Sequence, residues 1–241
     1  SSDTLYALLN NVSSVSGDCF TVAANNVTLD CQGYAINYSY SGRSNDKGIY
    51  VSGVNQTVVK NCLILDGADN GSNRPGMHIL NANNGTFENN TFITFGNNSG
   101  GIRLESTVGY SDTNYNRIQD NRIKTFGNKS DGIAFLSSSV LNNITGNQIV
   151  VSTSDQANGI YLNSDTDNSI FNNNTITMSS ATAGNTRAFY ISASSNFNRI
   201  SNMTIVTSNT NGFGLQVQSN GDNVFENISI TTSGSSASGL R

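Results

Sequence analysis

A repeat of about 27 residues constrains what this chain can fold into. A short apolar-x-apolar pattern, introduced by Gly in most copies, recurs from residue 19 to the C-terminus. The copies begin at residues 19, 48, 76, 101, 132, 159, 188 and 214, and a ninth opens at Gly239. The mean step is therefore (239 − 19)/8 = 27.5 residues. Periods of this length are the signature of solenoids, in which each copy packs only against its neighbours.

A second signal follows in each copy and reads apolar–x–turn residue–x–x–apolar. The turn residue belongs to the types that best tolerate a left-handed backbone. A sharp bend between two short strands needs that backbone geometry. The sequence therefore predicts a structural stack of turns at Asn61, Asn89, Asp120, Gly146, Asn173, Asn202 and Asn227.

Four further positions in each of the eight copies are apolar, which makes 32 of 32, although only 36% of the chain is hydrophobic. The first two of these positions are separated by two residues, as in Ile49 and Val51. That spacing is strand alternation and not helix periodicity. The pattern predicts an all-β solenoid of about eight coils, each with three short strands whose apolar side chains point inward.

The coil pattern over residues 19–241, and in particular Cys-Phe-Thr-Val-Ala-Ala-Asn-Asn-Val-Thr-Leu-Asp-Cys-Gln-Gly-Tyr-Ala-Ile at 19–36, resembles a known superfamily. It is similar to the right-handed parallel β-helix repeat, or pectin-lyase-like, superfamily, and its first coil resembles surface-exported β-helix proteins common in archaea. The resemblance implies a right-handed parallel β-helix. It says little about function, because the superfamily includes lyases, hydrolases, epimerases, adhesins and proteins without known activity.

Residues 1–18 do not fit the repeat and are expected to form an N-terminal cap over the β-helix domain of residues 19–241. Ser2 or Asp3 is a suitable N-cap for a short helix through residues 4–9. At the other end Leu240 falls on an inward column, in a coil that is begun and not completed. This arrangement predicts either end-to-end association of the protein with itself or a chain that is part of a longer β-helix.

Composition disfavours two classes of partner. The net charge is −4, only 12% of residues are charged, and no Lys/Arg-rich run occurs, which argues against nucleic-acid binding. No apolar run approaches the roughly 18 residues needed for a membrane-spanning helix. Asn, Ser, Thr and Gly number 39, 34, 22 and 23, which suits a fold made of turns and short strands.

The catalytic motifs of related enzymes are largely missing. Of the motifs found in polygalacturonase-like members, only Arg122-Ile123-Lys124 appears, and Ile123 is a core position of the repeat. The sequence therefore favours a non-catalytic protein at the cell surface or outside the cell: a structural, filament, sheath or adhesion module. The alternative is a protein that binds or cleaves polysaccharide, in the second case as a lyase or glycoside hydrolase.

That alternative depends on the outward-facing residues of the first strand in each coil. Neighbouring coils place these side chains about one strand spacing apart. The weak catalytic candidates are His78, Arg103 and Glu105. Aromatic rings that stack on sugars and an Arg that binds hydroxyls or carboxylates define the candidate carbohydrate-binding residues, Tyr50, His78, Arg103, Tyr110, Tyr161 and Tyr190. The alternative reading is structural, because Tyr and Arg are common on exposed strands.

An unusually long loop separates the first and second strands of the fourth copy. It spans residues 105–115 and includes Tyr110. We expect it to overhang the face that carries His78 and Arg103.

Three further features complete the expectations. Cys31 and Cys62 occupy nearly the same turn in successive coils, within disulfide range, which predicts a bridge that leaves Cys19 free; the alternative is three buried thiols. No cofactor is expected, although the oxygen-rich turns 66–71 and 165–168 are of the kind that Ca²⁺ uses. Accessible N-glycosylation sequons are expected at Asn70, Asn97 and Asn128.

Overall fold

The computed structural model describes residues 3–67, 71–107, 112–152, 155–179, 184–192, 194–219 and 221–241, and the chain folds as a parallel β-helix. Within these ranges there are 25 strands and no helix. All the paired strands run parallel, and each pairs with strands one coil away, as where Ile49–Ser52 of one coil pairs with Met77–Leu80 of the next. The predicted fold class is thereby confirmed.

The strands of the first half of the chain are β1 Thr4–Ala7, β2 Val12–Ser13, β3 Phe20–Val22, β4 Val27–Asp30, β5 Ala35–Tyr38, β6 Ile49–Ser52, β7 Val58–Lys60, β8 Leu63–Asp66, β9 Met77–Leu80, β10 Thr86–Glu88, β11 Thr91–Thr94 and β12 Ile102–Glu105. Those of the second half are β13 Arg117–Gln119, β14 Arg122–Thr125, β15 Ile133–Leu136, β16 Asn143–Thr145, β17 Gln148–Val151, β18 Asn158–Asn163, β19 Ile170–Asn172, β20 Thr175–Met178, β21 Arg187–Ile191, β22 Arg199–Thr207, β23 Phe213–Val217, β24 Val224–Thr232 and β25 Ser238–Leu240.

Each full coil contributes three strand segments to three columns. The first segments form a nine-stranded sheet, here called the first sheet, in the order β25-β23-β21-β18-β15-β12-β9-β6-β3. The second and third segments form two columns of one 16-stranded sheet, which are joined where β22 runs without a break through the bend. Stacking coils in this way gives every strand of the interior a hydrogen-bonded neighbour on both sides.

The core lies on the inward positions that the repeat predicts. In the central coils these side chains are fully buried, among them Ile133 and Phe135 of β15. The rings of Phe135, Phe171 and Phe189 pack edge to face, with centroids 5.6 and 5.3 Å apart. The Gly that precedes many first strands is also explained by packing: a Cβ at Gly132 would lie 2.4 Å from Cγ2 of Ile149.

The expected N-terminal helix is wrong. Residues 4–7 form β1, which pairs with β4, and residues 12–13 form β2, which pairs with β5. The segment therefore supplies the second and third strands of a preceding coil, and Leu8 and Val12 pack against the core. The physical reason is that strands β4 and β5 offer rows of backbone donors and acceptors, which an extended segment satisfies and a helix does not.

All seven residues of the predicted turn stack have positive φ, from 50° at Asn227 to 70° at Gly146. Some of their side chains bond along the stack, as where Asn89 Nδ2 donates to Asn61 Oδ1 at 2.7 Å. Gly146 adopts the same turn without a side chain. A Cβ at this position would lie 2.3 Å from Oδ1 of Asp120, so glycine also fits the space.

A second row of asparagines lies inside this turn and was not predicted. We call it the inner asparagine ladder; its members are buried and follow the turn residue in four successive coils: Asn90, Asn121, Asn147 and Asn174. Each side-chain oxygen accepts the backbone amide of the residue one coil before it, at 2.9 to 3.0 Å. The ladder thus replaces backbone pairing at the bend.

The disulfide Cys31–Cys62 occupies the same column as the ladder, one coil before it. The Cα atoms are 4.7 Å apart and the S–S distance is 1.98 Å. The backbone amide of Cys62 donates to Asn90 Oδ1, so that the bridge adjoins the first rung. Cys19 is a free thiol of intermediate burial.

A buried ion pair stabilises the bend between β8 and β9, where the third strand of one coil leads into the first strand of the next. Arg74 Nη2 lies 3.2 Å from Asp66 Oδ2, and both side chains have no solvent exposure. The same Asp66 oxygen accepts the amides of Phe95 and Gly96, and Tyr38 donates its hydroxyl to the carbonyl of Arg74.

Across the described residues, no helix is long and apolar enough to cross a membrane.

Candidate functional site

The outward residues of the first sheet form one continuous row, here called the first-sheet row. Strand register places each member directly beside the next, and the members in order are Thr21, Tyr50, His78, Arg103, Ala134, Tyr161, Tyr190 and Gln216. The row therefore brings together five of the six predicted carbohydrate-binding residues. The sixth, Tyr110, lies outside the described residues.

Ala134 divides the row into two groups of larger side chains. On one side Tyr50, His78 and Arg103 follow one another, and on the other Tyr161 and Tyr190. Ala134, whose side chain ends at Cβ and is buried, thus separates Arg103 from Tyr161 by two strand spacings, or roughly 10 Å.

In the first group, His78 is held by its neighbours. Its Nε2 atom lies 3.0 Å from Oε2 of Glu105, and its ring centroid lies 5.4 Å from that of Tyr50. The hydrogen bond with His78 is the main cause that lowers the pKa of Glu105 below its usual value. Lys47 completes the group, with its Nζ 4.9 Å from the centre of the Tyr50 ring.

Arg103 is directed away from this pair. Its Nη1 donates to Oδ1 of Asn73 at 2.7 Å, at the edge of the sheet where the first strands begin. Burial lowers the pKa of Arg103, while Glu105 and Asp131 act in the opposite direction. The three weak catalytic candidates are thus adjacent, but the acid and the base are already bound to each other.

The second group is an aromatic stack with a cation on it. The Tyr161 and Tyr190 rings are 5.2 Å apart and almost parallel, at 2°. The guanidinium of Arg187 lies 4.4 Å from the centre of the Tyr190 ring, and its Nε donates to Gln216. Burial raises the pKa of Tyr161.

A groove of about 370 Å³ runs along this stack, at the edge where the first strands begin. We call it the Asp131 groove; its lining consists of Asn98, Lys129, Asp131, Gln156, Asn158, Tyr161, Asn185, Arg187 and Tyr190. Its volume lies in the range of about 300–1,000 Å³ that is usual for small-ligand sites. The groove is open to solvent and lined mainly by polar side chains, and two of its lining residues, Tyr161 and Tyr190, are aromatic.

Asp131 is the acid of this groove. Its Oδ1 accepts hydrogen bonds from the backbone amide and from Nδ2 of Asn158, at 2.7 and 2.9 Å. Burial raises the pKa of Asp131 to about 6, although Asn158, Arg103 and Arg187 all lower it. This carboxyl group therefore titrates close to neutral pH.

Sequence reasoning missed Asp131, Lys129, Asn158 and Arg187. They precede the first strand or lie at its beginning, where the bend differs in length from coil to coil and no column is visible in the sequence. One signal was present: Asp131 and Asn158 stand immediately before the Gly-Ile pairs of two successive copies.

The long loop of the fourth coil is described only at its two ends. Thr113 Oγ1 donates to the carbonyl of Glu105, and the amides of Thr107 and Asn114 bond to Asn81 and Asn83. These contacts fix the ends beside the C-terminal ends of the first strands, at the edge opposite the Asp131 groove. Whether the loop overhangs His78 and Arg103 stays a prediction.

The remaining predicted positions are placed as follows. Asn97 and Asn128 are exposed and stacked, with the amide of Asn128 donating to Asn97 Oδ1 at 3.1 Å; Asn70 lies outside the described residues. Of the two oxygen-rich turns, Asp66 is bound to Arg74, and Asp167 Oδ1 accepts the amide of Asn196. Among the described residues, no three His, Cys, Asp or Glu side chains come close enough together to hold a metal ion.

Comparison with known proteins identifies one matching protein family. The family described as "Periplasmic copper-binding protein (NosD)" matches residues 25–233. No curated protein matches the sequence significantly.

Among solved structures, the A-module of the mannuronan C-5 epimerase AlgE4 from Azotobacter vinelandii is similar over 98% of this chain and 80% of that one, with a TM-score of 0.52 and 15% identity. A mutant of the periplasmic alginate epimerase AlgG gives a TM-score of 0.45 at 12% identity, over 90% of this chain and 58% of that one. The surface adhesin PfbA of Streptococcus pneumoniae gives 0.38 at 10% identity, over 100% and 83%. At these identities the likeness concerns the fold.

Proposed function

The chain belongs to the NosD family of periplasmic copper-binding proteins, and we propose that it is an exported β-helix protein that binds polysaccharide on its first-sheet row. The observation that carries the proposal is the parallel stack of Tyr161 and Tyr190 with Arg187 beside it, in register with Arg103, His78 and Tyr50. An exported location is supported by the family description and by the disulfide, since such bridges persist in oxidising compartments.

The row suits an extended ligand that lies along the helix axis. Aromatic side chains present large apolar surfaces with a polar edge, and Arg binds hydroxyl or carboxylate groups with a planar set of donors. Because successive coils repeat these groups about every 4.8 Å, one long ligand contacts several coils at once. Many weak contacts along one axis are the expected way for a solenoid to hold a polymer.

Binding fits the geometry better than cleavage. The His78 Nε2 atom and the Glu105 carboxylate are bound to each other, and Arg103 is bound to Asn73. We therefore propose a non-catalytic role for the row. Release of shortened or unsaturated products from an oligosaccharide would contradict this part of the proposal and favour a lyase or glycoside hydrolase.

Copper is not part of the proposal, because the described residues do not fit it. Copper sites use His, Cys and Met ligands that converge. Here His78 is bound to Glu105, Cys31 and Cys62 are joined, and Met77, Met178 and Met203 are buried in the core. Cys19 is a free thiol, but among the described residues it belongs to no cluster of His, Cys, Asp or Glu that could hold a metal.

A second candidate function is a structural or adhesion module, with the β-helix acting as a rigid rod at the cell surface, alone or in a filament or sheath. It is favoured by the inner asparagine ladder, which links successive coils through buried hydrogen bonds. Electron microscopy of the purified protein over a concentration series tests this candidate. Rods that lengthen with concentration support it, and particles of constant length contradict self-assembly.

Calorimetric titration of the protein with a panel of neutral and acidic oligosaccharides tests the binding proposal. We expect at least one to bind, and the double variant Tyr161→Ala/Tyr190→Ala to bind it about tenfold more weakly. Tyr34→Ala is the matched control, because Tyr34 is an exposed tyrosine at the bend between β4 and β5, away from the first sheet. Unchanged affinity in the double variant would overturn the assignment to the first-sheet row.

A further inference from the structure

We propose that the Asp131 groove binds an anionic sugar unit of the polysaccharide, and that the Asp131 carboxylate competes with that unit for the same cationic side chains. This inference rests on the proposed function of the first-sheet row and names the charge class of its ligand. It also gives the binding a dependence on pH.

The groove carries more positive than negative charge. Lys129 and Arg187 line it together with Asp131, and Arg103 is close enough to act on the Asp131 carboxylate. Arg103 and Arg187 thus act on the Asp131 carboxylate, and Lys129 adds a further positive charge to the lining. An anionic ligand that enters the groove finds cations that Asp131 neutralises only in part, whereas a cationic ligand would meet repulsion.

The groove also has the two features that distinguish a sugar from a simple anion. The Tyr161 and Tyr190 rings offer an aromatic surface beside the cations. Asn158 is 5% exposed, and its Oδ1 accepts no hydrogen bond from the described residues, although its Nδ2 and backbone amide are both engaged by Asp131. A buried acceptor without a donor is costly, and a ligand hydroxyl is a suitable donor.

Competition follows from the position of Asp131. When it is ionised, its charge screens Arg103 and Arg187 from a second anion. When it is protonated, its negative charge no longer opposes Arg103 and Arg187, and the positive charge of the groove acts on the ligand without that competition. Because burial raises the pKa of Asp131 to about 6, this change occurs on going from pH 7.5 to pH 5. A sugar carboxylate, with an ordinary carboxyl pKa of about 3.5, stays ionised over that interval.

Other charged groups near the groove are identified so that the test can separate them. Arg103 on β12 and Arg187 on β21 act on Asp131 directly, and Asp131 in turn helps to raise the pKa of Tyr161 on β18. Glu105 acts on Arg103 and is bound to His78, and Asp155 accepts the amide of Lys129 through its backbone carbonyl. A pH response that persists without the Asp131 carboxylate would belong to these groups.

The experiment is calorimetric titration with a galacturonic acid tetramer and with its methyl ester, in which each carboxylate is replaced by an uncharged ester, at pH 5 and pH 7.5. We expect the acid to bind at least about fivefold more tightly at pH 5 than at pH 7.5, and the ester to show no such difference. Asp131→Asn should bind the acid tightly at both pH values. Asp155→Asn is the control with the same charge change on the neighbouring loop, and it should keep the wild-type response.

Two additions keep the result interpretable. Lys129→Gln removes one cation from an exposed position, leaves the Asp131–Asn158 hydrogen bonds intact, and should weaken binding of the acid but not of the ester. A sulfated tetrasaccharide derived from heparin identifies the anion: tighter binding of this probe with the same pH response supports an anionic site and assigns it to sulfate.

Two results overturn the inference while the proposed function survives. They are equal affinity for acid and ester, and a wild-type pH response that is unchanged in Asp131→Asn. Failure of all oligosaccharides, neutral and acidic, to bind at either pH would instead overturn the proposed function itself.

Discussion

The backbone amide and the side-chain Nδ2 of Asn121 both donate to Oδ1 of Asn147, one coil further along, at 3.0 Å. The Asn121 Nδ2 also donates to the carbonyl of Phe87, and Asn121 Oδ1 accepts the amide of Asn90. One buried side chain therefore satisfies backbone groups in the coil before it and bonds to the coil after it. The bend is stabilised by side chains at the place where the strands no longer pair.

Asn121→Ala should accordingly destabilise the protein strongly. The substitution leaves the buried Asn90 amide without the acceptor it uses, which costs about 1–3 kcal/mol, and also removes the hydrogen bond to the Phe87 carbonyl. We expect a loss of about 2–4 kcal/mol in the free energy of unfolding, measured by urea denaturation. Asn89→Ala, at the exposed turn position one coil earlier, is the comparison and should cost less; equal losses would show that burial of the ladder is unimportant.

Asn173 tests the backbone at the turn itself. Its φ of 55° is left-handed and its side chain is exposed. Asn173→Ala should cost about 1–2 kcal/mol, because alanine is strained in that region. Asn173→Gly should cost less, since glycine adopts this geometry freely and Gly146 already does so one coil earlier. Chemical denaturation of both variants distinguishes the effects, and an equal loss would assign the stability to the side-chain hydrogen bonds.

Thiol counting tests the disulfide. Under denaturing, non-reducing conditions the protein should show one free thiol, that of Cys19; three would exclude the bridge. Replacing both Cys31 and Cys62 by Ser should lower the free energy of unfolding by about 2–4 kcal/mol, because the bridge closes a 31-residue separation in the unfolded chain. Cys19→Ser is the control, and its stability should stay within about 0.5 kcal/mol of the wild type.

The part of the fold that the sequence predicts is the part that repeats in a strict register. Ile133 and Phe135 are readable as core residues because strand alternation places positions two apart on the same face. The inner asparagine ladder escaped prediction because a left-handed residue interrupts this alternation. Asn90 follows Asn89 directly, yet one side chain is exposed and the other is buried. In the sequence, both are simply turn asparagines.

The candidate site divides in the same way. The row from Tyr50 to Tyr190 follows from the repeat, because the outward residue of a regular strand occupies a constant place in each copy. Asp131 and Arg187 depend on bends of different lengths, and only the folded chain shows that they line one groove. The N-terminal segment was misread for a related reason: residues 4–9 fit a capped helix locally, and the unpaired edge of β4 outweighs that local preference.

The ion pair of Arg74 and Asp66 gives a fourth prediction. Both side chains are fully buried, so that removing one charge leaves the other in a low-polarity environment. Arg74→Met should therefore cost about 3–5 kcal/mol in the free energy of unfolding. The double variant Arg74→Met/Asp66→Asn should recover part of this loss, as measured by a double-mutant cycle. A double variant as unstable as the sum of the two single variants would mean that the pair is not coupled.

The last prediction concerns the pH dependence of stability that Asp131 produces. Burial raises its pKa to about 6 in the folded protein, from 3.8 for an unperturbed carboxyl group. Between these two values the folded state binds more protons than the unfolded state, and stability must therefore fall as the pH rises from about 4 to 6. The direction is opposite for Glu105, whose pKa is lowered and whose contribution is lost as the pH falls.

Comparing the wild type with Asp131→Asn in urea denaturation at pH 4 and pH 7 separates the effect of Asp131 on stability from that of Glu105. Relative to that of Asp131→Asn, the free energy of unfolding of the wild type should fall by about 1–3 kcal/mol between pH 4 and pH 7. A difference between the two proteins that does not change with pH would show that Asp131 has an ordinary pKa, and it would remove the physical basis for competition in the groove.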